Sequence, residues 1–144
     1  MRYKKLYNIA RTIKKKNLHK NTVLKLLDKF KPKYIGRGAF KRSFKVKSNK
    51  KTLVFKIGNI KDDFIHYQKA KNKRKIKYAK IYWITNYCLL QKLCITNKLY
   101  SKEEFLNLKN AWKQNGYVDI RPANVGKINN KLYAFDIIKS KRNI

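Results

Sequence analysis

Four groups of residues in this chain carry chemistry by their type and spacing. Gly36-Arg37-Gly38-Ala39-Phe40 is a turn whose glycines lack a Cβ, so backbone N–H groups can approach an anion closely. Lys56 stands in the strand-like run Leu53-Val54-Phe55-Lys56-Ile57, on the face of Val54 and opposite Leu53, Phe55 and Ile57. Asp119-Ile120-Arg121-Pro122-Ala123-Asn124 sets a carboxylate before an amide. Asp136 sits in the apolar run 132–138, where a carboxylate needs a cation, a metal or hydrogen bonds. Asp and Asn oxygens are hard ligands suited to Mg²⁺. A carboxylate near a hydroxyl can orient it or accept its proton. Taken singly, each group is common: Gly-x-Gly turns fill many loops, strand lysines are usually solvated, and the Asp–Asn spacing arises by chance. Their order along one chain is the specific feature.

The elements that must position them follow from periodicity. Tyr3, Leu6, Tyr7, Ala10 and Ile13 recur at helical spacing, with Lys4, Lys5, Arg11, Lys14 and Lys15 largely on other faces. This basic amphipathic helix is expected to dock on a core, in preference to lying on phosphates or a membrane surface. Asn21 or Thr22 is the expected cap of a second helix carrying Val23, Leu27 and Phe30, which Pro32 ends. Runs 33–35, 40–46 and 52–57 predict an antiparallel meander, turning at Ser48-Asn49-Lys50. Residues 62–70 read as a short helix with Phe64, Tyr67 and Ala70 inward, and 71–77 as a solvated charged loop. Runs 78–84 and 87–91 flank Thr85-Asn86 as a hairpin. Ser101 and Glu104 form a capping box for a helix with Phe105, Leu108 and Trp112 on its core face, closed by Gly116. Runs 125–128 and 131–137 make a last hairpin around Asn129-Asn130, with Asp136 in its second strand.

With 144 residues, 43% of them hydrophobic and 13% aromatic, the chain is expected to fold as one unit rather than stay disordered. Residues 1–32 form a basic helical extension packed with a domain over 33–144. Cys88 and Cys94 are the only cysteines, which excludes a disulfide scaffold and suits small buried residues or free thiols. His19 and His66 show no metal-ligand spacing with them, and Trp83 and Trp112 read as core. The most apolar stretch, 81–95, is broken by Asn86, Gln91 and Lys92, so no membrane span is expected. Residues 1–16 are basic throughout, unlike a signal peptide, and a cytoplasmic protein is expected.

The net charge is +32, with +20 over residues 1–61 and +12 over 62–144. Such a charge seeks an anionic partner. Lys outnumbers Arg by 32 to 7, which favours diffuse phosphate attraction over base reading, so nucleic acid or a ribonucleoprotein is a candidate partner. An equally weighted alternative is codon composition, since Lys, Asn, Ile and Tyr all have A/T-rich codons. With only 7 acids present, each carboxylate calls for a reason.

In this order the motifs resemble the protein-kinase-like superfamily, from about residue 33 to 138. The likeness is to miniature kinase-like proteins of viruses and phages and to atypical RIO-type kinases, and a viral or phage protein would work in the host cytoplasm. The resemblance implies a minimal α+β fold, an antiparallel sheet lobe with a reduced helical C-terminal lobe. It implies ATP and Mg²⁺ as cofactors and transfer of phosphate to a hydroxyl acceptor, a protein Ser/Thr foremost. Gly36 and Gly38 take the place of the glycine-rich loop over the phosphates, and Lys56 that of the strand lysine. Asp119 matches the catalytic-loop aspartate, Asn124 the metal-binding asparagine, and Asp136 the metal-binding aspartate. Arg121 could counter the charge of the transferred phosphate. Residues 91–94 would link the lobes and meet the adenine through backbone groups.

The partner of the strand lysine is ordinarily a Glu on the next helix. Here Asp63 is the choice and Asp62 the reserve, while both could simply favour the helix N-terminus. Lys41 replaces a third glycine, Tyr117 the usual His before the catalytic Asp, and Ile137-Ile138 the usual Phe-Gly. No activation segment is expected, which weighs against a peptide substrate more than against nucleotide binding. A catalytically inactive pseudokinase that binds nucleic acid or a protein is the alternative.

Overall fold

A computed structural model describes residues 1–38, 41–73, 76–117 and 120–136. The fold is mixed α+β, with four α-helices and a five-stranded antiparallel sheet among the described residues. It divides into two units. Unit 1 comprises Met1–Ile60 and Lys80–Leu93, and unit 2 comprises Lys61–Ala79 and Cys94–Ile144.

Unit 1 is built on strands β1 (Lys33–Gly38), β2 (Lys41–Ser48), β3 (Lys51–Gly58), β4 (Ile81–Ile84) and β5 (Cys88–Lys92), in the order β1-β2-β3-β5-β4. The expected meander is present and its strands run longer than the apolar runs. The β2–β3 turn falls on Asn49 and Lys50, both at positive φ (48° and 66°). Alternation sends Phe44, Val46, Leu53, Phe55 and Ile57 to one face. Helices α1 (Lys4–Thr12) and α2 (Lys20–Leu26) cover that face with Leu6, Ala10, Val23 and Leu27, all fully buried. The basic first helix is thus docked on the core, as expected. Tyr7 meets Trp83 edge-on, with ring centroids 5.5 Å apart.

Two local expectations need correction. His19, not Asn21 or Thr22, caps α2, its Nδ1 accepting from the Asn21 N–H at 3.1 Å. An imidazole nitrogen supplies the same acceptor as an Asn or Thr oxygen. Run 78–84 does not continue as one strand, because β4 begins at Ile81 while Tyr78 and Ala79 pair elsewhere.

Unit 2 contains α3 (Lys61–Lys71), α4 (Lys102–Lys113), a 3₁₀ turn (Pro122–Asn124) and the hairpin β6 (Val125–Ile128) and β7 (Lys131–Ala134). The capping box of α4 is formed on both sides, and Asn129 and Asn130 make the predicted turn at φ 50° and 67°. The segment around Tyr78 adds a parallel bridge to Ala134, closed by Ala79 N–H to Ala134 O at 2.8 Å and Ala134 N–H to Lys77 O at 3.0 Å. Within the expected charged loop, Ile76 is buried at 1% exposure.

Trp112, fully buried, centres the aromatic core of unit 2. Tyr117 lies 5.3 Å from it and His66 6.0 Å, and His66 and Tyr117 meet edge-on at 4.7 Å. Here α3 departs from expectation. Its buried residues are Asp63 and His66, while Phe64, Tyr67 and Ala70 are only half-buried. The inward face is turned to a polar pair because aromatic rings and a tyrosine hydroxyl, rather than aliphatic chains, are what it packs against.

Candidate functional site

In unit 1 the sheet itself brings the phosphate-binding candidates together. Gly36 pairs with Ser43, Ser43 with Lys56, and Lys56 with Leu89. Cross-strand partners share a face, so these residues form one rung on the face opposite the helices. Two strand spacings put the Gly36 and Lys56 backbones about 10 Å apart. Gly36 follows a register shift between Tyr34 and Gly36 and has φ 152°, a conformation that favours glycine. A Cβ built there would meet nothing within 4 Å, so the space above this peptide is open. Gly38 ends β1, paired with Lys41, while Ala39 and Phe40 lie outside the described residues.

Lys56 is only 3% exposed, in contrast to the chain's many solvated lysines. On the same face, Gln91, paired with Val54, is 1% exposed. A lysine rooted on the middle strand of a five-stranded sheet loses little orientation when it meets an anion.

In unit 2, α3 places Asp63 in its first turn at 1% exposure, whereas Asp62 is exposed. Of the two aspartates, Asp63 is thus the buried one. The Tyr78 hydroxyl donates to Asp63 Oδ1 at 2.6 Å, and its second neighbour is the Phe135 carbonyl at 3.1 Å. Phe135 N–H in turn donates to the Asn124 carbonyl at 3.0 Å, one step beyond the Val125–Ala134 pair. Asn124 and the residue preceding Asp136 are thus locked across the open end of the hairpin. With its one proton directed at Asp63, the Tyr78 hydroxyl leaves the Phe135 carbonyl as a close neighbour, beside the backbone bond from Phe135 to Asn124.

Asp136 lies two residues past the end of β7 rather than within the strand, and it is half-buried. The strand stops at Ala134 because its partner β6 starts at Val125, where the 3₁₀ turn ends. Asn124 is half-buried and its N–H donates to the Arg121 carbonyl at 2.9 Å. Arg121 itself is exposed. Asp119 and Ile137 lie outside the described residues.

Among the described residues, no three His, Cys, Asp or Glu side chains cluster as a metal site. An amide and a single carboxylate fit an ion that takes few protein ligands and completes its shell with water and phosphate oxygens. Tyr78 is the residue not anticipated from sequence. Its signal was a tyrosine in a buried position, whose hydroxyl then requires a partner. A separate groove of about 570 Å³ on α4 and β7 is lined by amide side chains including Asn107, Asn110 and Asn130, and no described site residue lines it.

Among the described residues, no helix is long and apolar enough to cross a membrane. The chain matches no protein-family model and no curated protein.

Proposed function

We propose that this chain is a small kinase-like phosphotransferase that uses ATP and Mg²⁺ to phosphorylate a hydroxyl acceptor, a Ser or Thr of a protein foremost. Unit 1 is the sheet lobe in this reading and unit 2 a reduced helical lobe. The observation that carries it is burial of two ionisable side chains at the positions assigned from the motif order, Lys56 at 3% and Asp63 at 1% exposure. Buried charges are costly unless compensated, and a fold retains them where they serve a site.

The Gly36–Gly38 backbone and the Lys56 ammonium hold phosphate oxygens. Asp63 takes the acidic role on the helix after the lysine strand, with Tyr78 as its positioning residue. Asn124 and Asp136 are the ligands for Mg²⁺, which when bound neutralises charge on the phosphates. Asp119 orients the acceptor hydroxyl and takes its proton as the new O–P bond forms and ADP leaves. Arg121 offsets charge on the group in transfer.

Incubation with labelled ATP and mixed acceptor proteins tests this reading. Label transfer is expected from the wild type and lost in Asp119→Asn and Asp136→Ala. Transfer equal in all three proteins ends the assignment. A second reading, a non-catalytic nucleic-acid- or protein-binding module on the same fold, is favoured by the +32 charge. It predicts no label transfer but binding to polyanions that weakens steeply with salt.

A further inference from the structure

We propose that a cationic groove in unit 1 binds the sugar–phosphate backbone of nucleic acid. This localises the second reading above and does not depend on phosphoryl transfer. The groove, about 660 Å³, is lined by the start of α1, the 3₁₀ turn Asp28–Phe30 and the β2–β3 turn. Arg2, Lys4, Lys5, Lys29, Lys47 and Lys51 line it, and all six are exposed. No acid is among its lining residues. Asp28, the one acid of residues 1–61, precedes Lys29 without lining the groove.

Three separate stretches of chain contribute these cations, so folding, not a run in the sequence, gathers them. They stand on a rigid base. Leu6 is fully buried beneath them, the Tyr3 ring packs edge-on against Tyr82 at 5.1 Å, and Phe30 is half-buried. Five of the six are lysines, point charges that suit phosphates rather than base edges. Six cations around an open groove exceed what one phosphate group needs and match a series of them along a strand. An anionic membrane fits less well. Its surface helices insert apolar side chains, and here Leu6 is fully buried while Tyr3 and Phe30 are partly buried against the core. Binding through this groove is sequence-independent.

The test is fluorescence anisotropy of the full chain with a labelled single-stranded RNA across a salt series. The variant Lys4→Gln/Lys5→Gln/Lys47→Gln/Lys51→Gln is compared with a control carrying Lys61→Gln/Lys98→Gln/Lys102→Gln/Lys113→Gln, four exposed lysines of unit 2. Both change the net charge equally. The groove variant is expected to bind at least tenfold more weakly, with a log–log salt slope shallower by about 3, at roughly 0.7 for each phosphate no longer neutralised. The control is expected to stay within about threefold of the wild type. Equal weakening in the two variants would mean diffuse attraction and would overturn the site. Unchanged binding by the groove variant would do the same, as would tighter binding to phosphatidylserine vesicles than to RNA. Lysine acetylation of the wild type, mapped by mass spectrometry, needs no variant. RNA is expected to protect Lys4, Lys5, Lys29, Lys47 and Lys51 more than the four control lysines, and uniform protection refutes the proposal. Label transfer from ATP is read separately, so either proposal can fail alone.

Discussion

The hydroxyl of Tyr78 donates to the buried carboxylate of Asp63 across 2.6 Å. A short hydrogen bond between buried groups is costly to leave unmade. Tyr78→Phe removes the donor and leaves Asp63 buried with one partner fewer. The expected loss is about 1–3 kcal/mol of stability, seen as a lowered denaturation midpoint. A midpoint equal to wild type would show that Asp63 does not depend on Tyr78.

Lys56→Met conserves length and apolar bulk while removing the charge. Removing one member of a buried polar set is expected to lower stability, so the variant is first checked for a cooperative melting transition of its own. Thermal stabilisation by ATP with Mg²⁺ is expected to vanish in this variant. An ATP-induced shift as large as that of the wild type would remove Lys56 from the nucleotide site.

Two glycines are expected to respond differently to alanine. At Gly126 an added Cβ would lie 2.7 Å from Cys94 Cβ and 3.0 Å from the Ile95 carbonyl oxygen. Those neighbours are held by the Ile95–Lys127 bridge, so Gly126→Ala is expected to cost about 1–3 kcal/mol through overpacking. Gly36→Ala meets no atom and is strained only by its φ of 152°, costing ~1 kcal/mol. Chemical denaturation of the two variants checks the order, and a larger loss at Gly36 would contradict it.

Burial pushes the Cys88 thiol up to about 12, against a smaller opposing effect of the Thr85 hydrogen bond. The side chain is fully buried. In the native protein at about pH 8.5, where a free thiol is half ionised, Cys88 is expected to resist iodoacetamide and to react only after unfolding. Above that pH the unfolded chain releases a proton that the native state keeps, so this group's contribution to stability falls as pH rises. Rapid native-state alkylation at Cys88 would refute the prediction.

The Ser101 backbone N–H holds the Glu104 carboxyl below its ordinary pKa, with help from Lys127, whose ammonium lies 3.4 Å away. A depressed carboxyl stabilises the fold above its unfolded pKa, near 4.3, and loses that contribution as pH falls through its folded pKa. Glu104→Gln is expected to flatten the acid limb of a stability–pH profile. An unchanged acid limb would show that the box carries no pH dependence. Ser101→Ala, which removes the other half of the cap, is expected to cost about 1 kcal/mol at neutral pH.

Local signals are legible wherever neighbours in the chain decide the outcome. The period-two pattern of β3 sets Lys56 opposite Leu53, Phe55 and Ile57, and the register agrees. The Ser101–Glu104 box and the Asn129-Asn130 turn depend on interactions within three or four residues, and both form. The inward face of α3 differs from its apolar pattern because burial of Asp63 and His66 is decided by Tyr78, Trp112 and Tyr117, which arrive from distant parts of the chain. Asp136 falls beyond β7 instead of within it, because β7 stops where its partner stops.

The sequence by itself determined most of the elements, the α4 capping box, the hairpin turns, the strand position of Lys56, and the scarcity of acids that made Asp63 and Asp136 conspicuous. Tertiary structure alone decided that Asp63 rather than Asp62 is buried, that Tyr78 reaches it, that Asn124 is tied to Phe135, and that cations from three stretches share one groove. Periodicity along a chain reports which way a side chain points from its own backbone. It carries no information on what stands opposite, and the energy of a charge depends almost entirely on that.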